Sequence, residues 1–269
     1  MKMFRLLIVL LLPTMLLLNS CSDNSSDTPK TPTGNKYFPT VIGSWWTYTN
    51  YDLDSLNNKI AESEFQDKVV LDSTEMIAEK KAYVYKYLNM DGTPTGAEDN
   101  YLYATTTQIF HYFSIVPETD FSLPIEIPTD WYKIADYNDT EWTLYTQTVE
   151  DMEMETGNGT AKLSGDIAIK IKNDGTDNVN YGANLDKTVD CKVFTLTFSF
   201  EGNMTMAGIP IPIPFNFSVV NKNYYGNGIG LVKNETLPFA ITINVFGQEK
   251  EVYSANGSEQ VLLDYKIGE

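Results

Sequence analysis

The chain has 269 residues, an aromatic content of 13% and a formal net charge of −17. Nucleic acids and anionic lipid headgroups are bound by cationic surfaces, so this charge excludes nucleic acid as a partner and excludes direct adsorption to an anionic membrane surface. A chain of this length can bury roughly 70–75% of its unfolded surface, so it needs neither disulfides nor a metal for stability. We expect no cofactor.

Residues 1–20 have the features of a bacterial lipoprotein signal. A short basic start, Met1–Arg5, precedes an apolar run, Leu6–Leu18, that is too short to span a bilayer comfortably. The run ends in Leu-Asn-Ser-Cys, a lipobox, and cleavage before Cys21 would leave that residue free to carry fatty acids such as palmitate. We therefore predict an envelope lipoprotein held in the outer membrane by lipidated Cys21.

Residues 21–36 follow the cysteine with serine, aspartate, threonine and proline and with no large apolar residue. This composition predicts a disordered tether between the lipid and the domain. Its acidic, serine-rich start resembles the export signal that sends Bacteroidota lipoproteins to the outer face of the outer membrane, so the cell surface is one possible location and the periplasm is the other. Residues 37–269 are predicted to form a single domain.

Apolar and polar residues alternate with period two along most of this domain. The alternation predicts half-buried strands, and the clearest examples are Phe65–Leu71, Ala161–Ile171, Ile241–Val245 and Val261–Ile267. Turn signals such as Asp-Gly and Gly-Asn-Gly separate the runs at hairpin-like intervals. The sequence predicts an all-β, mainly antiparallel fold of roughly a dozen strands. It would be one large twisted or curled sheet, a half-barrel or a sandwich, with few or no helices.

Three local patterns predict irregular features of the sheet. The Asp174-Gly175 pair predicts a hairpin turn, and the change of apolar phase at Val193-Phe194 predicts a bulge. In Ile209–Val219, isoleucines alternate with three prolines that remove backbone donors from one edge. This segment is predicted to be an edge strand or a free extended loop, with its isoleucines covering a core or a cavity.

Two motifs resemble those of a large group of uncharacterised Bacteroidota lipoproteins. The first is Tyr37-Phe-Pro-Thr-Val-Ile-Gly-Ser-Trp-Trp-Thr-Tyr48, and the second is Tyr224-Tyr-Gly-Asn-Gly-Ile-Gly-Leu-Val-Lys233. The resemblance implies a twisted antiparallel sheet similar to the half-barrel of carriers of the LolA and LppX type, which lay helices across the concave face. It brings no activity that could be assigned to named residues.

Few residues of this chain could carry catalysis. The one histidine, His111, lies between Phe110 and Tyr112 and there is no Gly-x-Ser-x-Gly motif, so we expect a hydrogen-bonded histidine in the core or at its rim and no catalytic triad or zinc site. Once Cys21 is acylated, Cys191 has no intramolecular partner and is predicted to be a buried thiol. Paired carboxylates for glycan hydrolysis remain open from counting alone, but we predict that the protein is not an enzyme.

Aromatic residues are the candidate ligand-binding groups, because flat rings stack on the apolar faces of sugars. The candidates are Trp45, Trp131, Trp142, Tyr83, Tyr85 and Tyr87. Cross-strand packing within the sheet is the alternative role for these rings. The predicted function is non-enzymatic binding of a ligand or partner through the sheet. The protein would be either a surface glycan-binding accessory protein or an amphiphile carrier with Ile209–Val219 in its wall, and the sequence identifies no protein partner.

Overall fold

The computed structural model describes residues 35–113, 127–156, 159–206, 211–245 and 247–268. In these ranges the chain is almost entirely antiparallel β-structure, which confirms the predicted all-β fold, and its one helical element is a single 3₁₀ turn, Ala61–Ser63. Within the described residues, no helix has the length and apolar character needed to cross a bilayer. Cys21, the predicted leader and most of the predicted tether lie outside the described residues.

The strands are β1 (Trp45–Leu53), β2 (Phe65–Ile77), β3 (Lys80–Asn89), β4 (Asn100–Ala104), β5 (Gln108–Phe113), β6 (Asp130–Asp136), β7 (Glu141–Thr156), β8 (Gly159–Tyr181), β9 (Lys187–Met206), β10 (Ile213–Gly226), β11 (Gly230–Thr236), β12 (Phe239–Val245), β13 (Gln248–Ala255) and β14 (Gly257–Lys266).

Twelve of the described strands form one sheet, in the order β6-β5-β4-β3-β2-β1-β14-β11-β10-β9-β8-β7. The sheet is curled until it nearly closes, and its two end strands, β6 and β7, approach each other. Trp142 Nε1 of β7 donates to the Lys133 carbonyl of β6 at 2.7 Å, and Asn173 Nδ2 of β8 donates to the Asp136 carbonyl at 3.2 Å. Side-chain hydrogen bonds therefore link the two ends.

The curl encloses the side chains of the inner face. Trp46 Nε1 donates to the Ile229 carbonyl at 2.7 Å, and the Tyr48 hydroxyl donates to the Leu231 carbonyl at 3.1 Å. Strand β14 lies between β1 and β11 in the sheet, so these bonds reach across it on the concave side. The neighbouring Trp45 lies on the opposite face, because successive side chains of a strand alternate.

Most residues on the inner face of the long strands β8 to β10 are buried. Ile167, Phe200 and Phe215 are fully buried, so no space the size of a water molecule adjoins them. The β12–β13 hairpin forms its own two-stranded sheet, and its residues Ile241 and Ile243 are buried in the same core. In the described residues this hairpin, and no helix, supplies the second layer.

The two ends of the curled sheet differ. The end that we call proximal has the short turns β2–β3, β4–β5, β8–β9 and β10–β11. The end that we call distal has longer connections, including residues 54–64, 90–99 and the β12–β13 hairpin. Gly228 N donates to the Lys36 carbonyl at 2.7 Å, and Asn35 Nδ2 donates to the Gln108 carbonyl at 3.3 Å. The chain therefore joins the fold at the proximal end, and the folded part includes Asn35 and Lys36, which the sequence assigned to the tether.

The turn predicted at Asp174-Gly175 is wrong. Strand β8 runs through both residues, and its register with β9 shifts between Asn173 and Gly175. The positive φ of 90° at Gly175 suits the extra residue of a bulge as well as it suits a turn. A bulge is predicted at Val193-Phe194 on β9. The structure has the bulge on β8, directly opposite these two residues, and β9 itself keeps an unbroken register with β10.

The proline-spaced segment contains an edge strand, as predicted. Strand β10 begins at Ile213, and β11 pairs with it only from Asn221 onward, so among the described strands the first half of β10 has β9 as its one sheet neighbour. Ile213 and Phe215 are buried. The prediction that Ile211 shares their buried face is wrong, because Ile211 precedes the strand and is 66% exposed. Ile209 lies outside the described residues.

Strand β7 is one end of the sheet and has an irregular backbone. Its register with β8 shifts between Val149 and Met152. Asp151, within this bulge, has a φ of 50°, which is an uncommon conformation for a residue other than glycine. The exposed residues Glu150, Asp151 and Glu153 give this part of the strand a row of carboxylates.

Candidate functional site

A group of aromatic side chains lies on the outer face of β4, β5 and β6. We call it the aromatic patch, and its members are Tyr101, Tyr103, Phe110, Tyr112 and Trp131. All five are half-buried. The ring centres lie 5.3 Å apart for Tyr112 and Trp131, 5.8 Å apart for Tyr103 and Phe110, and 6.2 Å apart for Tyr103 and Trp131. These four rings therefore form one continuous surface, and Tyr101 stands beside Tyr112 in the β4–β5 pair.

The alternation of the strands puts these rings outside. Leu102 and His111 face each other in the β4–β5 pair and are buried on the inner face. Their neighbours in the sequence must therefore point outward, and the register places Tyr101 beside Tyr112 and Tyr112 beside Trp131. The main core lies on the inner face, and the outer rings are part-exposed side chains that pack beside one another on the opposite face.

The tip of the β2–β3 hairpin brings a cation to the aromatic patch. Lys80 Nζ lies 5.0 Å from the ring centre of Phe110, 5.5 Å from that of Trp131 and 5.6 Å from that of Tyr103. Ala78 and Glu79 form the turn with φ values of 42° and 64°, which are costly for residues other than glycine, asparagine and aspartate.

Charged side chains also border the aromatic patch beside Tyr101. Lys86 Nζ forms an ion pair with Asp72 Oδ2 at 2.8 Å. Burial raises the pKa of the Tyr101 phenol, and the charge of Glu75 raises it further. The surface therefore combines aromatic rings with donors and acceptors of hydrogen bonds.

Of the residues predicted from the sequence, Trp131 is the one that the structure brings into this patch. Trp45 is on the outer face of β1, with Lys68 Nζ 4.6 Å from its ring centre. Trp142 packs on the core at the β6–β7 junction, with Lys133 Nζ 4.7 Å from its ring centre. These two tryptophans lie apart from Trp131.

The three predicted tyrosines of β3 face inward. Tyr85 is fully buried, and Tyr87 is buried with its hydroxyl oxygen accepting a hydrogen bond from Asn100 Nδ2. Tyr83 is half-buried, with its ring centre 6.1 Å from that of Phe38. These contacts are those of core side chains.

Sequence reasoning missed Tyr101, Tyr103, Phe110 and Tyr112 as binding residues. The signal was present, since an aromatic residue stands at every second position on both sides of a buried leucine or histidine. It becomes informative only once the inner face is known.

A row of polar side chains crosses the inner face toward the distal end. We call it the polar row, and it consists of His111, Asn100, Tyr87, Asp67, Asn50, Gln260, Asn234, Asn223, Asn221 and Thr236. At one end, Asn234 Nδ2 donates to Asn221 Oδ1 at 3.1 Å and to Asn223 Oδ1 at 2.9 Å. Asn221 Nδ2 donates to Thr236 Oγ1 at 2.9 Å. These four residues are buried, and they satisfy one another.

The middle of the polar row is less enclosed. Gln260 Nε2 donates to Asn50 Oδ1 at 3.1 Å, and Asn50 Nδ2 donates to Asp67 Oδ1 at 3.1 Å. Burial raises the pKa of the Asp67 carboxyl to about 6, although the hydrogen bonds from Asn50 and from its own backbone N–H favour the charged form. A raised pKa of this origin is a feature of many functional sites.

The histidine is buried at the other end of the polar row, as predicted. His111 Nε2 lies 3.0 Å from Asn100 Oδ1, and Nδ1 has no partner among the described residues. Burial lowers the pKa of the imidazole, so it is neutral at physiological pH. Cys191 is also buried, and burial raises the pKa of its thiol to about 12. Within the described ranges, no three His, Cys, Asp or Glu residues are placed to hold a metal ion.

Comparisons with known proteins give two distant structural likenesses. No protein-family model matches the sequence, and no curated protein matches it. A crystal structure of a protein provisionally described as a lipoprotein, from Parabacteroides distasonis, is 15% identical, covers 87% of this chain and 99% of its own, and has a TM-score of 0.44. A provisionally described exported protein with a YmcC-like fold, from Bacteroides fragilis, is 12% identical, covers 86% of this chain and 99% of its own, and has a TM-score of 0.37.

Proposed function

We propose that this protein is a lipid-anchored envelope protein that binds neutral carbohydrate, without catalysing a reaction, on the aromatic patch of its outer face. The observation that carries the proposal is the continuous surface of part-exposed rings around Trp131. An exposed apolar surface with a polar rim is characteristic of an interaction site. Carbohydrate suits this surface because sugar rings offer both apolar C–H faces and hydroxyl groups.

Charge narrows the class of carbohydrate. The chain has a formal net charge of −17, which repels anionic polymers at long range. The cation at the patch, Lys80, already contacts three rings. Neutral polysaccharides avoid this repulsion and can accept hydrogen bonds from Lys80 and Lys86.

The amphiphile carrier is the less favoured alternative. A carrier needs a hollow interior, whereas Ile167, Phe200 and Phe215 are fully buried in a packed inner face. The aromatic patch lies on the other side of the sheet and needs no cavity.

The anchor is tested by metabolic labelling. The Leu-Asn-Ser-Cys sequence motivates acylation at Cys21. Cells grown with an alkynyl fatty acid should incorporate the label into the natural protein and not into the Cys21→Ala variant. Equal labelling of the two proteins would refute the anchor.

The binding surface is tested by the Trp131→Ala variant in affinity electrophoresis through gels containing neutral polysaccharides. We expect the natural protein to be retarded and the variant to lose at least about tenfold in affinity, because a stacked ring is removed. Trp45→Ala is the matched control, since it removes a tryptophan from the same face outside the patch. Far-ultraviolet circular dichroism would verify that both variants are folded.

Two outcomes would refute carbohydrate binding at the patch. One is an equal loss of affinity in the Trp45→Ala and Trp131→Ala variants. The other is the absence of retardation of the natural protein by any neutral polysaccharide.

A further inference from the structure

Asp67 is a carboxyl group that no cation of the described chain neutralises. It lies on the inner face of β2, in the middle of the polar row, and every ion pair of the described residues involves other carboxylates. Its hydrogen-bond donors are Asn50 Nδ2 and its own backbone N–H. An ionised carboxylate has about four acceptor positions, so about two remain unused.

The direction of the neighbouring hydrogen bonds leaves a further acceptor atom available to a ligand. Gln260 donates to Asn50, and Asn50 donates to Asp67, which fixes the orientation of both amides. The two ends of this chain of bonds are therefore the carboxylate of Asp67 and the amide oxygen of Gln260. Both ends can accept a hydrogen bond from a ligand, and Asn50 holds them in place.

Aromatic rings flank the carboxyl group. Tyr48 on β1 and Tyr87 on β3 are the titratable groups that face it, and after burial the charge of Asp67 is the next cause that raises the pKa of each phenol. Phe65, two residues before Asp67 on the same strand face, is 37% exposed. Tyr48 and Tyr87 are themselves buried, so Phe65 is the ring beside the carboxylate that an organic cation could reach.

We propose that Asp67 anchors a second binding site, on the inner face toward the distal end, for the primary ammonium group of a ligand. The site has one carboxylate, and its other acceptor oxygen is neutral, so it matches a single positive charge. Divalent ions such as Ca²⁺ take six to eight oxygen ligands and commonly several carboxylates. The site is separate from the aromatic patch, which lies on the opposite face of the sheet.

The cost of keeping Asp67 ionised supports a role in binding. Its folded-state pKa of about 6 lies above the ordinary value of 3.8. The stability that protonated Asp67 contributes is therefore present below 3.8 and is lost as the pH rises through about 6. At neutral pH the buried charge of Asp67 destabilises the fold, and an ammonium ligand would offset this penalty.

The first experiment follows the carboxyl ¹³C signal of Asp67 in the natural protein during pH titrations. Three probes are compared: glucosamine, Nα-acetyl-lysine amide and the neutral N-acetylglucosamine. We expect the two amines to lower the titration midpoint below about 6 and the neutral sugar to leave it unchanged, since only an ammonium group favours the ionised form. A shift with glucosamine alone would identify an amino sugar as the ligand class. No shift with either amine would overturn the proposal.

The second experiment compares the Asp67→Asn and Asp264→Asn variants. Asp264 is exposed on the outer face of β14, so it controls for the loss of one negative charge from an acidic protein. We expect Asp67→Asn to reduce the affinity for the amine that shifts the midpoint by at least about tenfold and Asp264→Asn to leave it unchanged. Equal affinities of the two variants would overturn the proposal. The Trp131→Ala variant should keep amine binding, which separates this test from that of carbohydrate binding.

Discussion

The Phe200→Ala variant is expected to lower the free energy of unfolding by about 3–5 kcal/mol. Phe200 is fully buried on the inner face of β9, and its ring centre lies 5.8 Å from that of Phe215 and 6.1 Å from that of Phe217. Truncation removes buried apolar surface and leaves a cavity that the long paired strands cannot close. Urea denaturation of the unlipidated chain, monitored by circular dichroism, measures the effect.

Ile211→Ala is the control for this experiment. Ile211 is 66% exposed, so its truncation should change stability by no more than about 0.5 kcal/mol. A cost of about 1 kcal/mol or less for Phe200→Ala would contradict the packed inner face. That result, together with a lipid that copurifies with the protein, would favour the amphiphile carrier.

The Asn221→Ala variant is expected to lower the free energy of unfolding by about 2–4 kcal/mol. Asn221 accepts hydrogen bonds from Asn223 Nδ2 at 2.8 Å and from Asn234 Nδ2 at 3.1 Å, and it donates to Asn234 and Thr236. The partners stay buried after the substitution, so they lose hydrogen bonds that water cannot replace.

Asn216→Ala is the matched control for this substitution. Asn216 lies on the same strand but is exposed, and it accepts a hydrogen bond from Gly202 N at 2.9 Å. Water can replace the lost side-chain oxygen as the acceptor for Gly202 N, so the free energy of unfolding should fall by less than about 1 kcal/mol. Similar losses of stability in the two variants would show that the buried amide cluster does not stabilise the fold as a network.

The alternation of side chains was sufficient to predict the strands and their faces. Trp45 and Trp46 illustrate this alternation, because only one of two neighbouring residues in a strand can face the core. It misplaced Ile211, because the pattern does not show where a strand begins. It also mistook the bulge at Gly175 for a turn, since both need the same backbone conformation.

Individual residues such as Trp131 could be predicted, but the two candidate sites could not be assembled from the sequence, because each depends on pairing between distant segments. Asn50 and Gln260 meet because the last strand pairs with the first, and Asn234 joins them because β11 follows β14 in the sheet. In the aromatic patch, Trp131 reaches Tyr112 through the β5–β6 pairing. Strand order sets these neighbours, and local sequence patterns do not encode it.

The irregular edge of β7 affects how copies of this protein would behave when they lie side by side. A long free strand invites the same strand of another molecule to extend the sheet. The bulge between Val149 and Met152 breaks the spacing that such an addition needs. Two copies would also bring Glu150, Asp151 and Glu153 close to the same residues of the neighbour, where like charges repel. Crowded copies would therefore remain separate molecules and would not merge into a fibre.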